Sequence, residues 1–84
     1  MASPAENFIR DLGALAREAA LAAAEKSTAS GADRQFESGR AMAWYEVTSL
    51  IQQQAAAFGL LPSQVGLEGF DAERDLLGKM GSGK

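Results

Sequence analysis

The sequence contains no histidine and no cysteine among its 84 residues. Without histidine it lacks the side chain that most often transfers protons near neutral pH, and without cysteine it lacks disulfides and thiolate metal ligands. A general acid or base would have to be a lone carboxylate or Tyr45, the single tyrosine. We therefore expect a protein that is not an enzyme and that uses no cofactor.

A metal site built from glutamates alone is also disfavoured. Carboxylate metal sites in helical bundles combine glutamates with Glu-x-x-His pairs, which this sequence cannot supply. The glutamates weighed for such a site are Glu18, Glu25, Glu37 and Glu46. We expect no bound metal.

Clustered positive charge and long hydrophobic runs are missing as well. The net charge is −3 and the basic residues are scattered, which argues against a nucleic-acid partner. Charged residues or glutamines interrupt every apolar run, and the N-terminus has no basic region followed by an apolar one. We expect a soluble cytoplasmic protein without a membrane partner.

The residues that are present have the composition of a folded domain. Hydrophobic residues make up 46% of the chain and charged residues 23%. A chain of this length buries only about 60–65% of its unfolded surface, so its core must be thin. We predict one small helical domain over residues 1–77 and a flexible tail over residues 78–84.

A first amphipathic helix is indicated at the N-terminus. Ser3, Pro4 and Glu6 have the spacing of a capping box with proline at the first helical position. Apolar residues then recur at alternating spacings of four and three, which predicts a buried stripe: Phe8, Leu12, Leu15, Ala19 and Ala22. Gly13 interrupts this helix at a cost of about 1 kcal/mol relative to alanine, which suggests that a bulky element crosses there.

A second long helix follows the small polar residues 27–33, which predict a turn. It contains the only tryptophan and the only tyrosine, and its apolar arc is as wide as the core side of a bundle helix: Phe36, Ala43, Trp44, Val47, Leu50, Ile51 and Phe58. We expect Val47 and Leu50 in the core. Gly59 is a natural helix stop, so the two helices should form an antiparallel hairpin.

The residues after Gly59 predict an ordered connector and a short third helix. Pro62 can begin a helical turn, and Asp71 can cap a helix over residues 72–77. The apolar residues of the connector should pack back on the hairpin: Leu60, Leu61, Val65, Leu67 and Phe70. The predicted fold is all-α, an antiparallel helical hairpin plus a short C-terminal helix, with two hairpins dimerising into a four-helix bundle.

Two groups of residues on the second helix are candidate sites. Arg40 and Trp44 are one turn apart and can form a ligand pocket; alternatively Arg40 covers the core and pairs with Glu18 or Asp11. The other group lies away from the main apolar arc and has few charges for a solvated face: Met42, Tyr45, Ser49, Gln52, Gln53 and Ala56. We interpret it as a homodimer interface, the alternative being that residues 60–77 fold over it within one chain.

No stretch resembles a family whose activity can be transferred to this chain. Gly78, Gly83 and Lys84 match the spacing of a phosphate loop, but the residues before them do not predict the strand that such a loop follows. We therefore expect a small non-catalytic interaction or regulatory protein that acts as a homo-oligomer and binds another protein. The alternative is a small-molecule or peptide binding module with a pocket near Arg40 and Trp44.

Overall fold

The computed structural model describes residues 2–28 and 33–81, and the described residues contain no β-strand. Two long helices, α1 (Pro4–Lys26) and α2 (Arg34–Ala57), pack along each other. A 3₁₀ turn (Pro62–Val65) and a π-helical turn (Glu73–Leu77) follow, and the latter continues into a last α-helical turn, α3 (Gly78–Gly81). The prediction of an all-α fold is confirmed.

The start of α1 has the predicted capping box. The Ser3 hydroxyl accepts a hydrogen bond from the Glu6 N–H at 3.1 Å, and the Glu6 carboxylate accepts one from the Ser3 N–H at 2.6 Å. These bonds satisfy two backbone donors that a helix N-terminus leaves without partners. They also lower the pKa of Glu6, with the bond from the Ser3 backbone as the largest cause.

The end of α2 also follows the prediction. Gly59 has a positive φ of 73°. Its N–H bonds to the Ala56 carbonyl at 3.1 Å, and the Leu60 N–H bonds to the Ala55 carbonyl at 2.8 Å. This is the bonding pattern of a Schellman motif, in which glycine takes the left-handed position without a steric penalty. At the other end of α2, Asp33 precedes the helix but makes no side-chain cap bond.

The two helices meet through small side chains rather than through the predicted apolar stripes. The residues buried on them are Gly13, Ala16, Ala20, Ala23 and Ala24 of α1, with Ala41, Thr48 and Ala55 of α2. The prediction that Val47 and Leu50 lie in the core is wrong for this chain, because they are 43% and 60% exposed. Small side chains such as alanine allow two helices to pack closely, and the neighbouring large side chains point outward.

The large side chains of the core come from the segment after the hairpin, residues 60–81, here called the C-terminal segment. Val65, Leu67, Phe70 and Leu76 are buried against the alanines of α1 and α2. The predicted packing is thus confirmed for Val65, Leu67 and Phe70, whereas Leu60 and Leu61 remain exposed. Burial of one such side chain contributes about 1.5–3 kcal/mol, so the C-terminal segment supplies much of the hydrophobic stabilisation.

The C-terminal segment crosses α1 at Gly13. A Cβ atom on Gly13 would overlap the Val65 carbonyl oxygen, and one on Gly66 would overlap the Arg10 carbonyl oxygen. Gly66 also has a positive φ of 75°, a conformation that side chains disfavour. The two glycines allow the backbones to touch, as the sequence suggested for Gly13.

The boundary predicted after residue 77 falls inside a helical stretch. Residues 78–81 continue the helix, and the Met80 side chain packs against the core. The remainder of the predicted flexible tail, residues 82–84, lies outside the described residues.

Candidate interaction surface

The side of the hairpin opposite the C-terminal segment carries large exposed apolar side chains. We call this surface the apolar face and define it by seven residues, each well exposed: Phe8, Leu12, Leu15, Phe36, Val47, Leu50 and Phe58. Isolated exposed apolar residues are common on proteins, whereas large apolar patches are frequent sites of interaction, so this surface is the candidate interaction surface.

Helix geometry explains why these residues share one side. On α1, Gly13 and Arg17 contact the C-terminal segment, and Leu12 and Leu15 project about 100° or more away from them. On α2, the Gln52 side chain bonds the C-terminal segment, and Val47 projects about 140° away from Gln52 around the helix axis. Each helix therefore presents one side to the C-terminal segment, the next to the other helix, and the third to solvent.

The exposed residues of both helices have the spacing of a coiled-coil seam. On α1 the seam is the stripe that begins at Phe8 and proceeds in steps of four and three. On α2 the same steps give Phe36, Arg40, Ala43, Val47, Leu50 and Gln54. In four-helix bundles, two such seams lie side by side and pack against two others, with the helices crossing at about 20°.

An open cavity adjoins the apolar face, at Leu50 and Phe58, at the end of the hairpin where α1 begins and α2 ends, here called the open end. Its volume is about 330 Å³. Apolar side chains from α1, α2 and the C-terminal segment line it, together with the amide of Gln54: Ile9, Leu50, Ile51, Phe58, Leu60 and Val65. Such a lining favours an apolar occupant over a polar or charged one.

The outer edges of the apolar face carry negative charge. Asp11, Glu18 and Glu25 follow one another at seven-residue spacing along α1, and Glu46 lies on the outer side of α2. All four are exposed. Exposed charges of this kind change affinity little but affect which partners approach.

The interface residues predicted from sequence lie on the opposite side, beside the C-terminal segment. Five of them, all except Met42, line an open polar cavity of about 390 Å³ together with Asp71, Ala72 and Glu73. The Gln52 side chain donates to the Phe70 carbonyl at 3.4 Å and accepts from the Ala72 N–H at 2.9 Å. These contacts match the alternative in which the segment folds over this face. Contact of the six residues with a second chain stays a prediction.

Arg40 and Trp44 do not come together around a cavity described here. Arg40 forms an ion pair of 3.5 Å with Glu37, one turn away on the same helix, rather than with Glu18 or Asp11 of α1. Trp44 is half-buried and packs against the core. A ligand pocket at these two residues stays a prediction.

Arg17 makes long-range contacts that the sequence did not reveal. Its guanidinium donates to the Glu68 carbonyl at 2.9 Å and lies over the Phe70 ring, 5.6 Å from its centroid. A cation in this position attracts the ring electrostatically. Arg17 therefore fastens the C-terminal segment to α1. Nothing in the sequence pairs it with residues about fifty positions later.

A charged cluster fixes the start of the C-terminal helix. Asp71 Oδ1 accepts from the Arg74 N–H at 2.8 Å, so the predicted cap is confirmed. The Arg74 guanidinium bonds both carboxylate oxygens of Asp75 at 2.9 Å, and the Asp71 N–H bonds Asp75 at 3.0 Å. The bond from Arg74 and then that from Asp71 lower the pKa of Asp75 to about 2. All of these groups form hydrogen bonds within the C-terminal segment and stabilise its structure.

Comparison with protein-family models gives no match, and neither do comparisons with curated proteins and with solved structures. Within residues 2–28 and 33–81, acidic side chains do not gather in threes as a metal ion would require. In the same residues, neither long helix has an apolar stretch that would span a bilayer.

Proposed function

We propose that this protein is a small non-catalytic interaction protein that works as a homo-oligomer, with two hairpins joined through their apolar faces into a four-helix bundle. The observation that carries the proposal is the set of large apolar side chains that both helices expose at seam spacing. Exposure of such side chains to water is unfavourable in free energy, and their burial by a partner is favourable.

The exposed area supports the same conclusion. The chain has an accessible surface of 5752 Å². A compact monomer of 8.8 kDa is expected to expose about 4,800 Å². The excess is about 1,000 Å², and each partner in a stable complex typically contributes about 800 Å². The chain as a whole therefore exposes more surface than a compact monomer, by about the area that one partner buries in a stable dimer.

The test compares two substitutions on the same helix. Val47 lies on the apolar face and Met42 on the face predicted from sequence, and they are equally exposed, at 43% and 44%. We expect light scattering with size exclusion at about 100 μM to give a dimer for the wild type and for Met42→Glu. Val47→Glu should give a monomer, because the dimer would bury two unpaired carboxylates.

Other outcomes have distinct meanings. A wild-type monomer at this concentration would reject the homo-oligomer. Disruption by Met42→Glu without disruption by Val47→Glu would instead assign the interface to the residues predicted from sequence. Circular dichroism of each variant separates dissociation from unfolding, since both side chains are exposed within one chain.

A further inference from the structure

We infer that the aromatic ring of Phe36 from a second copy occupies the apolar cavity at the open end, so that the two hairpins associate with their loops at opposite ends. The inference rests on the proposed function, because it requires the dimer, and it adds which residue anchors the dimer and how the copies are oriented.

Phe36 has the properties of an anchor residue. It stands in the first turn of α2, at the loop end of the apolar face, and is 67% exposed. The cavity, at about 330 Å³, is roughly twice the size of an engineered apolar cavity of about 150 Å³ that binds benzene. An aromatic side chain inserted into an apolar pocket is a common source of binding energy at interfaces.

The positions of Phe36 and the cavity agree with a two-fold axis. Gln54, which lines the cavity, follows Phe36 by eighteen residues on the same helix, so the two lie about 27 Å apart. A ring and a cavity so far apart cannot meet within one chain. A two-fold axis that crosses the face midway between them brings each Phe36 over the Gln54 of the other copy, so both cavities are filled at once.

The sizes of the side chains favour the same orientation. On α1, Leu12 and Leu15 lie toward the open end, and Ala19 and Ala22 toward the loop. With the loops at opposite ends, the leucines of one copy face the alanines of the other, which keeps the helices evenly spaced. With the loops at the same end, α1 would instead face α2 of the partner.

That second orientation pairs large residues with large ones. Leu12 and Leu15 would meet Leu50 and Val47 of the partner subunit, whereas Ala19 would meet the smaller Ala43 toward the loop end. Helix separation depends on the side chains at the contact, so the bundle would be wide at one end and narrow at the other. Packing at uniform density therefore favours loops at opposite ends.

The first experiment measures the dimer dissociation constant of Phe36→Ala. We expect it to rise at least about 30-fold, because each dimer loses two buried rings. Met42→Ala removes an exposed apolar side chain of the same helix outside the apolar face and should leave the constant within about twofold. The helical circular dichroism of both variants should equal that of the wild type.

The second experiment uses the absence of cysteine from the chain. Phe36→Cys and Gln54→Cys are purified separately, mixed and oxidised. Opposite-end association places the two thiols together and gives a disulfide-linked heterodimer that keeps one native Phe36 in its cavity. Neither variant alone should form a linked dimer, because its two thiols would be about 27 Å apart.

The outcomes separate this inference from the proposed function. A dimer whose dissociation constant is unaffected by Phe36→Ala, or a mixture that forms no heterodimer, overturns the inference and leaves the homo-oligomer standing. A mixture of Glu18→Cys and Glu46→Cys tests the orientation with the loops at the same end. We expect its disulfide-linked homodimers to be at least as abundant as the heterodimer between the two variants, because only same-end association favours that heterodimer. A wild-type monomer rejects both proposals.

Discussion

Replacing Gly13 with alanine should destabilise the protein, although the same change stabilises most helices. In an exposed helix interior, alanine is favoured over glycine by about 1 kcal/mol. At Gly13 the new Cβ would overlap the Val65 carbonyl oxygen, which belongs to the backbone and cannot rotate away. The 3₁₀ turn must therefore move off α1, and overpacking of this kind costs about 1–3 kcal/mol.

The displaced turn also loses burial. Val65 is 4% exposed, and partial loss of a burial worth about 1.5–3 kcal/mol adds to the cost. We expect Gly13→Ala to lower the free energy of unfolding by about 1–3 kcal/mol after the gain in helix propensity. For a domain of this size, that corresponds to a fall in Tm of roughly 4–24 °C.

Gly39 provides the matched control. It lies inside α2, and apart from the adjacent residues and backbone of its own helix, a Cβ there would meet no atom within 4 Å. Gly39→Ala should therefore raise stability by about 0.5–1 kcal/mol. Thermal denaturation followed by circular dichroism, at one protein concentration for all variants, compares the three proteins. A Tm of Gly13→Ala at or above the wild type would show that the crossing at Gly13 is not close.

Two further predictions concern the C-terminal segment. Leu67→Ala should lower the free energy of unfolding by about 2–5 kcal/mol, because Leu67 is fully buried. Leu61→Ala, at an exposed site, should lower it by less than about 1 kcal/mol. Urea denaturation measures both changes. Asp75 has a lowered pKa of about 2, so its bonds to Arg74 and Asp71 stabilise the fold above about pH 4, and this contribution disappears as the pH falls toward 2. Asp75→Asn should remove this dependence of the free energy of unfolding on acid pH. The loss should be about 0.5–1 kcal/mol, because the partner Arg74 is largely exposed. If the stability of the variant falls with pH as that of the wild type does, Asp75 is not the group responsible.

The sequence predicted three of the helix ends because local chemistry determines them. Ser3 and Glu6 form their capping box, Gly59 takes its left-handed turn and Asp71 caps the helix after it. Each of these signals depends on residues a few positions apart, so one stretch of sequence contains all the information.

The direction of the apolar stripes was not predictable in the same way. Periodicity identifies Leu12 and Leu50 as members of an apolar side, but it does not say whether that side meets the other helix or a different chain. The alanines beside them offer a closer helix contact and occupy the hairpin interface instead. The contact of Arg17 with Phe70 was hidden for a related reason, since it joins residues far apart in sequence.

The division of the core between the helices and the C-terminal segment has a consequence for the order of folding. During synthesis α1 and α2 leave the ribosome first, and the residues buried on them in the folded chain are alanine, glycine and threonine. Val65, Leu67, Phe70 and Leu76 arrive afterwards and fill the groove between the helices. The nascent hairpin therefore lacks these large core side chains, and the chain reaches the native state only after the C-terminal segment has been synthesised. A ribosome-bound chain that stops at Gly59 would remain sensitive to protease, and one extended past Met80 would acquire protection in a single step.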